Sequence, residues 1–264
     1  MYLPLLLAAA SSLLVFLVAF FWAIEKKNNN SVDIAWAISF IATTSAGLLA
    51  NHTYHPRQTL VALLIALWGI RLAIHIYSRN KGKPEDFRYQ KFRNNWGGNF
   101  ALKAFFKIYL LQWLLQLVIA LPALLIVTST NTPLNTLDLL GLSIWLTGFY
   151  FEAVGDWQLT KFKKDPRNKG KIMTKGLWRY SRHPNYFGEA TLWWGIWLMA
   201  LNIPLGFLTI VSPITIDYML LKVSGIPMLE AKYKGNKKFQ EYKKRTSAFF
   251  PLPPKDISSS KAQD

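Results

Sequence analysis

Cysteine is missing from the chain altogether, which removes disulfides, thiolate nucleophiles and iron–sulfur ligation from consideration. Histidine is scarce. Of the four, His52 and His55 stand three apart on a predicted loop, His75 lies late in an apolar stretch and His183 sits in a polar motif, so no histidine-rich metal site is expected. No glycine-rich turn follows a predicted strand, which excludes a Rossmann or P-loop solution for any nucleotide. Acidic residues are few, 14 against 31 Lys and Arg, leaving a formal charge of +17. That excess could signal nucleic acid, but it is spread over separate loops instead of forming one groove beside stacking aromatics, and nucleic acid is not an expected partner. Internal repeats, low-complexity linkers and a soluble domain of useful size are also absent.

What the chain has in quantity is hydrophobic sequence. Hydrophobic residues make up 52% and aromatics 15% of it, with a mean hydropathy of +0.16 despite the charge. Apolar runs long enough to cross roughly 30 Å of hydrocarbon at about 20 residues each are expected near 3–23, 34–50, 58–77, 103–127, 137–158, 187–201 and 205–222, the second and sixth being short. Asn202-Ile203-Pro204 alone separates the last two, which form either a tight helical hairpin or one broken helix. The fold class is therefore an all-α polytopic membrane protein of about seven spans. Segments 24–33, 78–101, 159–186 and 222–264 hold 2, 6, 9 and 10 Lys or Arg, whereas 51–57, 128–136 and 202–204 hold only Arg57. Retained positive charge marks the cytoplasmic side, so the N-terminus is expected outside and the C-terminus in the cytosol. The first run is too long for a signal peptide and lacks a preceding basic residue, so it is read as a membrane helix. One membrane domain over 1–254 is expected, with a disordered tail at 255–264.

The stretch Lys175-Gly176-Leu177-Trp178-Arg179-Tyr180-Ser181-Arg182-His183-Pro184-Asn185-Tyr186-Phe187-Gly188-Glu189 sets cations, an amide and a carboxylate against the apolar run that begins near Ala190. Interfacial anchoring would account for Arg179, Arg182 and Trp193. It does not account for Asn185 and Glu189, which share a face of a helix at a spacing of four. Glu152 and Asp156 lie one turn apart at the end of the fifth span, where carboxylates need partners or solvent. The loop that follows, with Lys161, Lys163, Lys164, Arg167, Asn168, Lys169 and Lys171, joins Arg179, Arg182 and Asn185 in offering donors for a polyanion such as a nucleotide's phosphates. Glu85, Asp86, Arg88 and Tyr89 read either as a solvated helix with local ion pairs or as part of the same ligand site. Asp217, inside an apolar helix, requires a polar cavity or a partner such as Arg71.

Gly176-Leu177-Trp178 followed by Arg-Tyr-Ser-Arg-His-Pro-Asn-Tyr-Phe-Gly-Glu resembles the signature of the steroid 5α-reductase-like membrane proteins, in particular their bacterial DUF1295 branch. The likeness extends to Asp33-Ile-Ala-Trp36, Arg71-Leu72, Glu85-Asp86-x-Arg88-Tyr89, Gln112, Asp156-x-Gln158, Asn168-Lys169-Gly170-Lys171, Ser212-Pro213, Ser224-Gly225-Ile226-Pro227, Glu230, Tyr242 and Phe250-Pro251, about residues 30 to 254. The resemblance implies NADPH entering from the cytosol into a polar cavity of the C-terminal half, about 137–254, and a lipid-like substrate entering from the bilayer. It implies a bacterial inner-membrane location. In the family the equivalents of Asp156, Asn185 and Glu189 contact the cofactor. The full set expected there is Arg88, Asp156, Lys163, Asn168, Lys171, Arg179, Arg182, His183, Asn185, Tyr186, Glu189, Glu230 and Tyr242. Lys163 and Lys171 stand where reductase relatives place arginine, and so meet phosphate without a bidentate fork.

The chemistry so implied is hydride delivery to the β-carbon of an enone with protonation at the α-carbon, the hydride belonging to NADPH. The steroid enzymes hold the 3-oxo group with a Gln-Glu pair in the second span and a Tyr in the third, and neither is present. His75 or Tyr186 becomes the expected hydrogen-bond donor to a carbonyl, with Asp33 the supporting carboxylate. A second enzyme class also fits. Isoprenylcysteine and phospholipid methyltransferases share the Arg-His-Pro-x-Tyr pattern of residues 182–186 and a later Glu and Tyr, here Glu230 and Tyr242. S-adenosylmethionine carries a sulfonium and no phosphate, so the basic loops favour the dinucleotide. A non-catalytic lipid-binding protein is the third reading.

Overall fold

The computed structural model describes residues 2–129 and 133–256. Its helices are α1 (Tyr2–Lys26), α2 (Ser31–Asn51), α3 (Pro56–Asn80), α4 (Phe87–Trp96), α5 (Phe100–Ala104), α6 (Leu111–Thr128), α7 (Thr136–Lys164), α8 (Pro184–Ala200), α9 (Val211–Tyr218), α10 (Ile226–Ala231) and α11 (Lys237–Arg245). π-helical turns at Phe105–Leu110 and Met219–Val223 join α5 to α6 and follow α9. Among the described residues there is no strand, only an isolated parallel bridge between Ser181 and Ser247. The protein is an all-α polytopic membrane protein. The expected tail lies, from residue 257 onward, outside the described residues.

Six stretches among the described residues are long and apolar enough to cross a membrane: Tyr2–Lys26, Ser31–Asn51, Pro56–Asn80, Phe87–Thr128, Thr136–Lys164 and Gly206–Ala231. Six of the seven expected spans fall on them, and the span expected at 187–201 does not. It forms α8, whose 17 residues rise only about 26 Å at about 1.5 Å per residue. Pro184 opens this helix and the turn at 201–205 closes it, so neither end has room to extend. The turn resolves the hairpin question. Ile203 N–H donates to Ala200 O and Gly206 N–H to Ile203 O, both at 2.9 Å, and Leu205 takes a left-handed φ of 62°. A Cβ on Gly206 would lie 1.8 Å from the Ala200 carbonyl oxygen, so only glycine closes this turn. Trp194 Nε1 then donates to Asp217 Oδ2 at 3.0 Å, tying α8 to α9 side by side as a hairpin.

The chain forms two compact units, Met1–Leu139 with Ile196–Ser212 and Leu140–Gly195 with Pro213–Asp264. In the first, α2 packs against α1, α3 and α6. Small residues let α2 approach closely: a Cβ on Gly69 of α3 would come within 2.9 Å of the Ala37 carbonyl. Aromatic rings fill the space beyond, Trp36, Phe40 and Trp68 meeting edge to face in sequence at 5.4 and 5.3 Å. Leu3, Leu6, Leu14, Val18, Phe21 and Trp22 remain exposed along α1, as a helix facing hydrocarbon requires.

One end of this unit is closed by polar groups. Arg57, at the start of α3, presents Nε to Asp138 Oδ1 and Nη2 to Oδ2, each at 2.7 Å, and Nη2 also donates to Pro133 O. Asp138 accepts in turn from Asn135 N–H while the Asn135 side chain accepts from Leu137 N–H, so the N-terminus of α7 is capped by the residue that binds Arg57. Beside it Gln58 donates to Ser129 O at 2.8 Å and Asn51 to Val127 O at 3.2 Å, satisfying carbonyls at the end of α6.

In the second unit α7 and α8 touch backbone to backbone. Gly141, Gly148 and Gly155 recur at seven-residue spacing on α7, and Gly188 and Gly195 do so on α8. A Cβ on Gly188 would lie 2.3 Å from Glu152 N, one on Gly148 2.5 Å from Leu192 N, and one on Gly195 2.6 Å from Gly141 O. A seven-residue stripe of small residues is a left-handed seam on which helices meet without interposed side chains.

Two stability outcomes follow from these contacts. Asp138→Asn leaves the 2%-exposed Arg57 guanidinium without its counter-charge and is expected to cost about 3–5 kcal/mol, read as a lowered midpoint in detergent unfolding. Arg57→Met with Asp138→Leu should recover most of that loss, and a double variant as unstable as the single one would refute the ion-pair account. Gly188→Ala forces two backbones apart and is expected to cost about 3 kcal/mol or more, whereas Gly235→Ala, which meets nothing within 4 Å, should leave the midpoint unchanged.

Candidate functional site

The segment 175–189 is held in place by three neighbours within the second unit. Gly176 has φ 60°, and a Cβ there would sit 2.6 Å from the Gln158 side chain, so glycine is required twice over. Gln158 Oε1 accepts from Leu177 N–H at 2.9 Å, and Trp178 Nε1 donates to Gly155 O at 3.0 Å. These bonds fasten the segment to the end of α7. From the other side Tyr242 of α11 donates its hydroxyl to Trp178 O and lies 3.3 Å from Ser181 O. The stretch after α11 adds a strap: Arg182 N–H donates to Ser247 O at 2.9 Å and Leu252 N–H to Tyr180 O at 3.0 Å.

Arg182 is the centre of this clasp. Its Nε donates to Glu230 Oε1 at 2.8 Å, and its Nη1 donates to Lys243 O at 3.2 Å and to Thr246 O. Glu230 takes two further contacts, His183 Nε2 at 3.3 Å and Lys243 Nζ at 2.8 Å. The His183 ring stacks on Tyr186 with centroids 5.6 Å apart. Arg182, His183, Glu230 and Tyr242, expected to hold a cofactor, are thus brought together, but they bond to one another, to Lys243 and to carbonyls of the chain.

A second group lies along the α7–α8 seam. Asn185 Nδ2 donates to Asp156 Oδ1 at 3.0 Å, and Asn185 Oδ1 is buried without a hydrogen-bond partner. Glu152 and Asp156 are buried, at 2% and 7% exposure, one turn apart on α7, and Glu189 lies one turn beyond Asn185 on α8. Phe187 points elsewhere, meeting Phe151, Phe249 and Phe250 edge to face. The expected cationic donors are on the surface: Lys163, Lys171 and Arg179 are exposed, while Asn168 donates to Phe162 O at 3.0 Å and closes the turn after α7.

Asp33, His75 and Arg88 belong to the first unit. Asp33 Oδ1 accepts from the Tyr89 hydroxyl at 2.7 Å, and its Oδ2 lies 3.2 Å from Arg88 Nη2 and 3.7 Å from Arg79 Nη2. Arg88 Nε also donates to Asp86 Oδ1 at 2.9 Å. Glu85 binds Arg93 and both nitrogens of Asn29, and Tyr109 donates to Asn29 Oδ1 at 3.0 Å. The Glu85–Tyr89 motif therefore fastens the turn between α1 and α2 to the start of α4. Burial raises the Glu85 carboxyl, but the hydrogen bonds from Arg93 and Asn29 outweigh it and hold the group below its ordinary 4.5. His75 is half-buried in α3.

Asp217 Oδ2 accepts from Trp194, and its Oδ1 is buried with no hydrogen-bond partner among the described residues. The glycine stripe, Gln158 and the strap at Thr246–Ser247 were not anticipated. A seven-residue recurrence of glycine on two successive helices was visible in the sequence, whereas the strap pairs residues more than 60 positions apart through main-chain groups and leaves no side-chain signal.

A family model described as a protein of unknown function, DUF1295, matches residues 19–246. An uncharacterized protein of Schizosaccharomyces pombe is 26% identical over 197 residues, which is 64% of this chain and 56% of the yeast protein, so the chain spans little more than half of that relative's length. No solved structure matches.

Burial pushes the His183 imidazole below its ordinary 6.5, against the pull of Glu230. The unfolded chain therefore takes up a proton near 6.5 while the folded chain does so only at lower pH, and stability is full above 6.5 and falls as pH drops below it. The unfolding midpoint is expected to decline between about pH 6.5 and 5, and His183→Gln should flatten that decline. Glu85, held below 4.5, loses its contribution only at more acidic pH, so a decline unchanged in the His183 variant would assign the effect elsewhere.

Proposed function

Since the chain belongs to the DUF1295 family, we propose that it is an NADPH-dependent membrane reductase acting on the C=C bond of an enone-type lipid or steroid-like substrate, set in the bacterial inner membrane with its cofactor site facing the cytosol. The observation that carries this reading is the Asn185–Asp156 pair: an amide whose nitrogen is committed to a carboxylate and whose buried oxygen has no donor among the described residues. A buried acceptor left without a hydrogen bond costs about 1–3 kcal/mol, and a ligand amide N–H would satisfy it. Exposed Lys163, Lys171 and Arg179 of the same unit supply the positive charge that phosphates require.

When bound, the dinucleotide supplies a hydride equivalent. Asn185, Asp156 and Glu189 would hold its amide-bearing end, the exposed cations of the same unit would meet its phosphates, and Tyr186 would donate a hydrogen bond to the substrate carbonyl. The overall change would be an enone to a saturated ketone, with the dinucleotide supplying the hydride at the β-carbon and water supplying the proton at the α-carbon. The Arg-His-Pro-x-Tyr pattern with Glu230 and Tyr242, which also fits a methyltransferase, is accounted for here by the clasp, and so does not favour S-adenosylmethionine.

The test is a titration of the detergent-purified chain with NADPH, NADP⁺, NADH and S-adenosylmethionine by calorimetry, repeated on Asn185→Ala and Glu189→Ala. Saturable NADP(H) binding is expected, weakened at least about tenfold in each variant, a loss of about 1.4 kcal/mol. Binding of S-adenosylmethionine alone would replace the reductase with a methyltransferase, and binding of none of the four would leave a lipid-binding protein.

A further inference from the structure

Helix α11 is strongly two-sided, and its two sides have different fates. Phe239 and Tyr242 form the apolar side and are buried at 6% and 8% exposure, Phe239 stacked on Tyr233 at 4.8 Å and Tyr242 bonded to the Trp178 and Ser181 carbonyls. An amphipathic helix that lies in a membrane interface keeps its apolar side for acyl chains. This one has spent that side on its own fold. What faces outward is charge: Lys232, Lys234, Lys237, Lys238, Lys243, Lys244 and Arg245 are exposed, with Glu241 the sole acidic residue between 231 and 246. Lys243 is committed to Glu230. Lys234, Lys237, Lys238 and Lys244 enter no ion pair with any described residue.

These charges cannot lie far from the bilayer. The membrane-crossing stretch Gly206–Ala231 ends six residues before Lys237, a reach of at most about 20 Å even if extended. The link is in fact folded back, Tyr233 N–H donating to Glu230 O and Asn236 N–H to Tyr233 O, both at 2.9 Å, and Asn236 caps α11 by accepting from Phe239 N–H. A cluster of four to eight cations next to a membrane helix falls within the field of an anionic leaflet, which decays over about 10 Å. Exposed apolar side chains precede and follow the cluster along the chain, Leu229 before it and Phe250 and Leu252 after it, and Tyr233 lies within it.

We propose that the outer face of α11 and the turn before it form a docking surface for the anionic phospholipid headgroups of the membrane that the chain spans. The inner face of the same helix closes on Trp178, Ser181 and Arg182. Headgroup contact on the outside therefore holds down the element that shapes the candidate site. This assignment does not depend on which cofactor the site takes.

The experiment is a lipid competition on the full chain. The purified protein is equilibrated in mixed micelles of equal phosphatidylglycerol and phosphatidylcholine, re-purified, and its retained lipid quantified by mass spectrometry. Phosphatidylglycerol is expected to exceed phosphatidylcholine about tenfold. The ratio should fall to near one in Lys234→Gln/Lys237→Gln/Lys238→Gln/Lys244→Gln and to an intermediate value in Lys237→Gln/Lys238→Gln. It should stay at the wild-type level in Lys83→Gln/Lys91→Gln, which removes two exposed charges from the first unit. Soluble glycerol phosphate should not displace the lipid. An unchanged ratio in the fourfold variant, an equal fall in the Lys83/Lys91 variant, or displacement by glycerol phosphate would each overturn the docking surface.

Discussion

The close contact of α7 and α8 is the constraint on which the second unit depends. Side chains normally hold helix axes about 8–10 Å apart, and here Gly148, Gly188 and Gly195 remove them, so that a Cβ on Gly188 would meet the Glu152 amide nitrogen at 2.3 Å. The consequence is chemical as well as steric. With no side chain interposed, Asp156 on one helix reaches Asn185 on the other at 3.0 Å, and the two buried carboxylates of α7 lie against a helix that begins at a proline and therefore lacks one backbone donor. The Tyr-Phe-Gly-Glu sequence is in this sense one unit: Gly188 sets the seam, Phe187 anchors it against Phe151 and the C-terminal aromatics, and Glu189 is carried to the same side as Asn185.

The excess of positive charge divides into two populations. Arginine is used inside: Arg57 with Asp138, Arg88 with Asp33 and Asp86, Arg93 with Glu85 and Arg182 with Glu230 all form close pairs in partly or fully buried surroundings. A planar fork meets a carboxylate in two places and sheds water more easily than an ammonium, so arginine suits these positions. Most lysines are exposed, Lys243 joining Glu230 from its solvent side and Lys26 pairing with the exposed Glu25. Asp33, Glu85, Asp86, Asp138 and Glu230 are the acidic residues these arginines meet, and much of the net charge is carried outward on lysine.

The membrane class, the approximate spans and the importance of residues 175–189 could all be read from the sequence, because hydropathy and local motif spacing are one-dimensional signals. The break after the sixth apolar run was legible at 202–204, but hairpin or broken helix was not: a backbone feature, the left-handed Leu205 with Gly206 packed on Ala200 O, decides it. The partner of Asp217 was equally hidden, since an indole N–H from Trp194 on the neighbouring helix is as good a donor as the Arg71 guanidinium that composition suggested. The first-unit motif Glu85–Tyr89 was legible as a cluster of ion pairs, but its role in fastening Asn29 and Asn30 required the fold.

Motif likeness does not distinguish residues that hold a ligand from residues that hold the ligand's walls, because both are constrained in type. Hydrogen-bond accounting separates them. Arg182 and Tyr242 spend their donors on Glu230, Thr246 O and Trp178 O, so for either to bind a phosphate it would have to release a bond already made, at a cost comparable to the bond gained. The Asn185 Oδ1 has no hydrogen-bond partner among the described residues, and Arg179 and Lys171 are exposed. Unspent hydrogen-bonding capacity thus lies at Asn185, while the Arg-His-Pro core is committed to holding the segment in place.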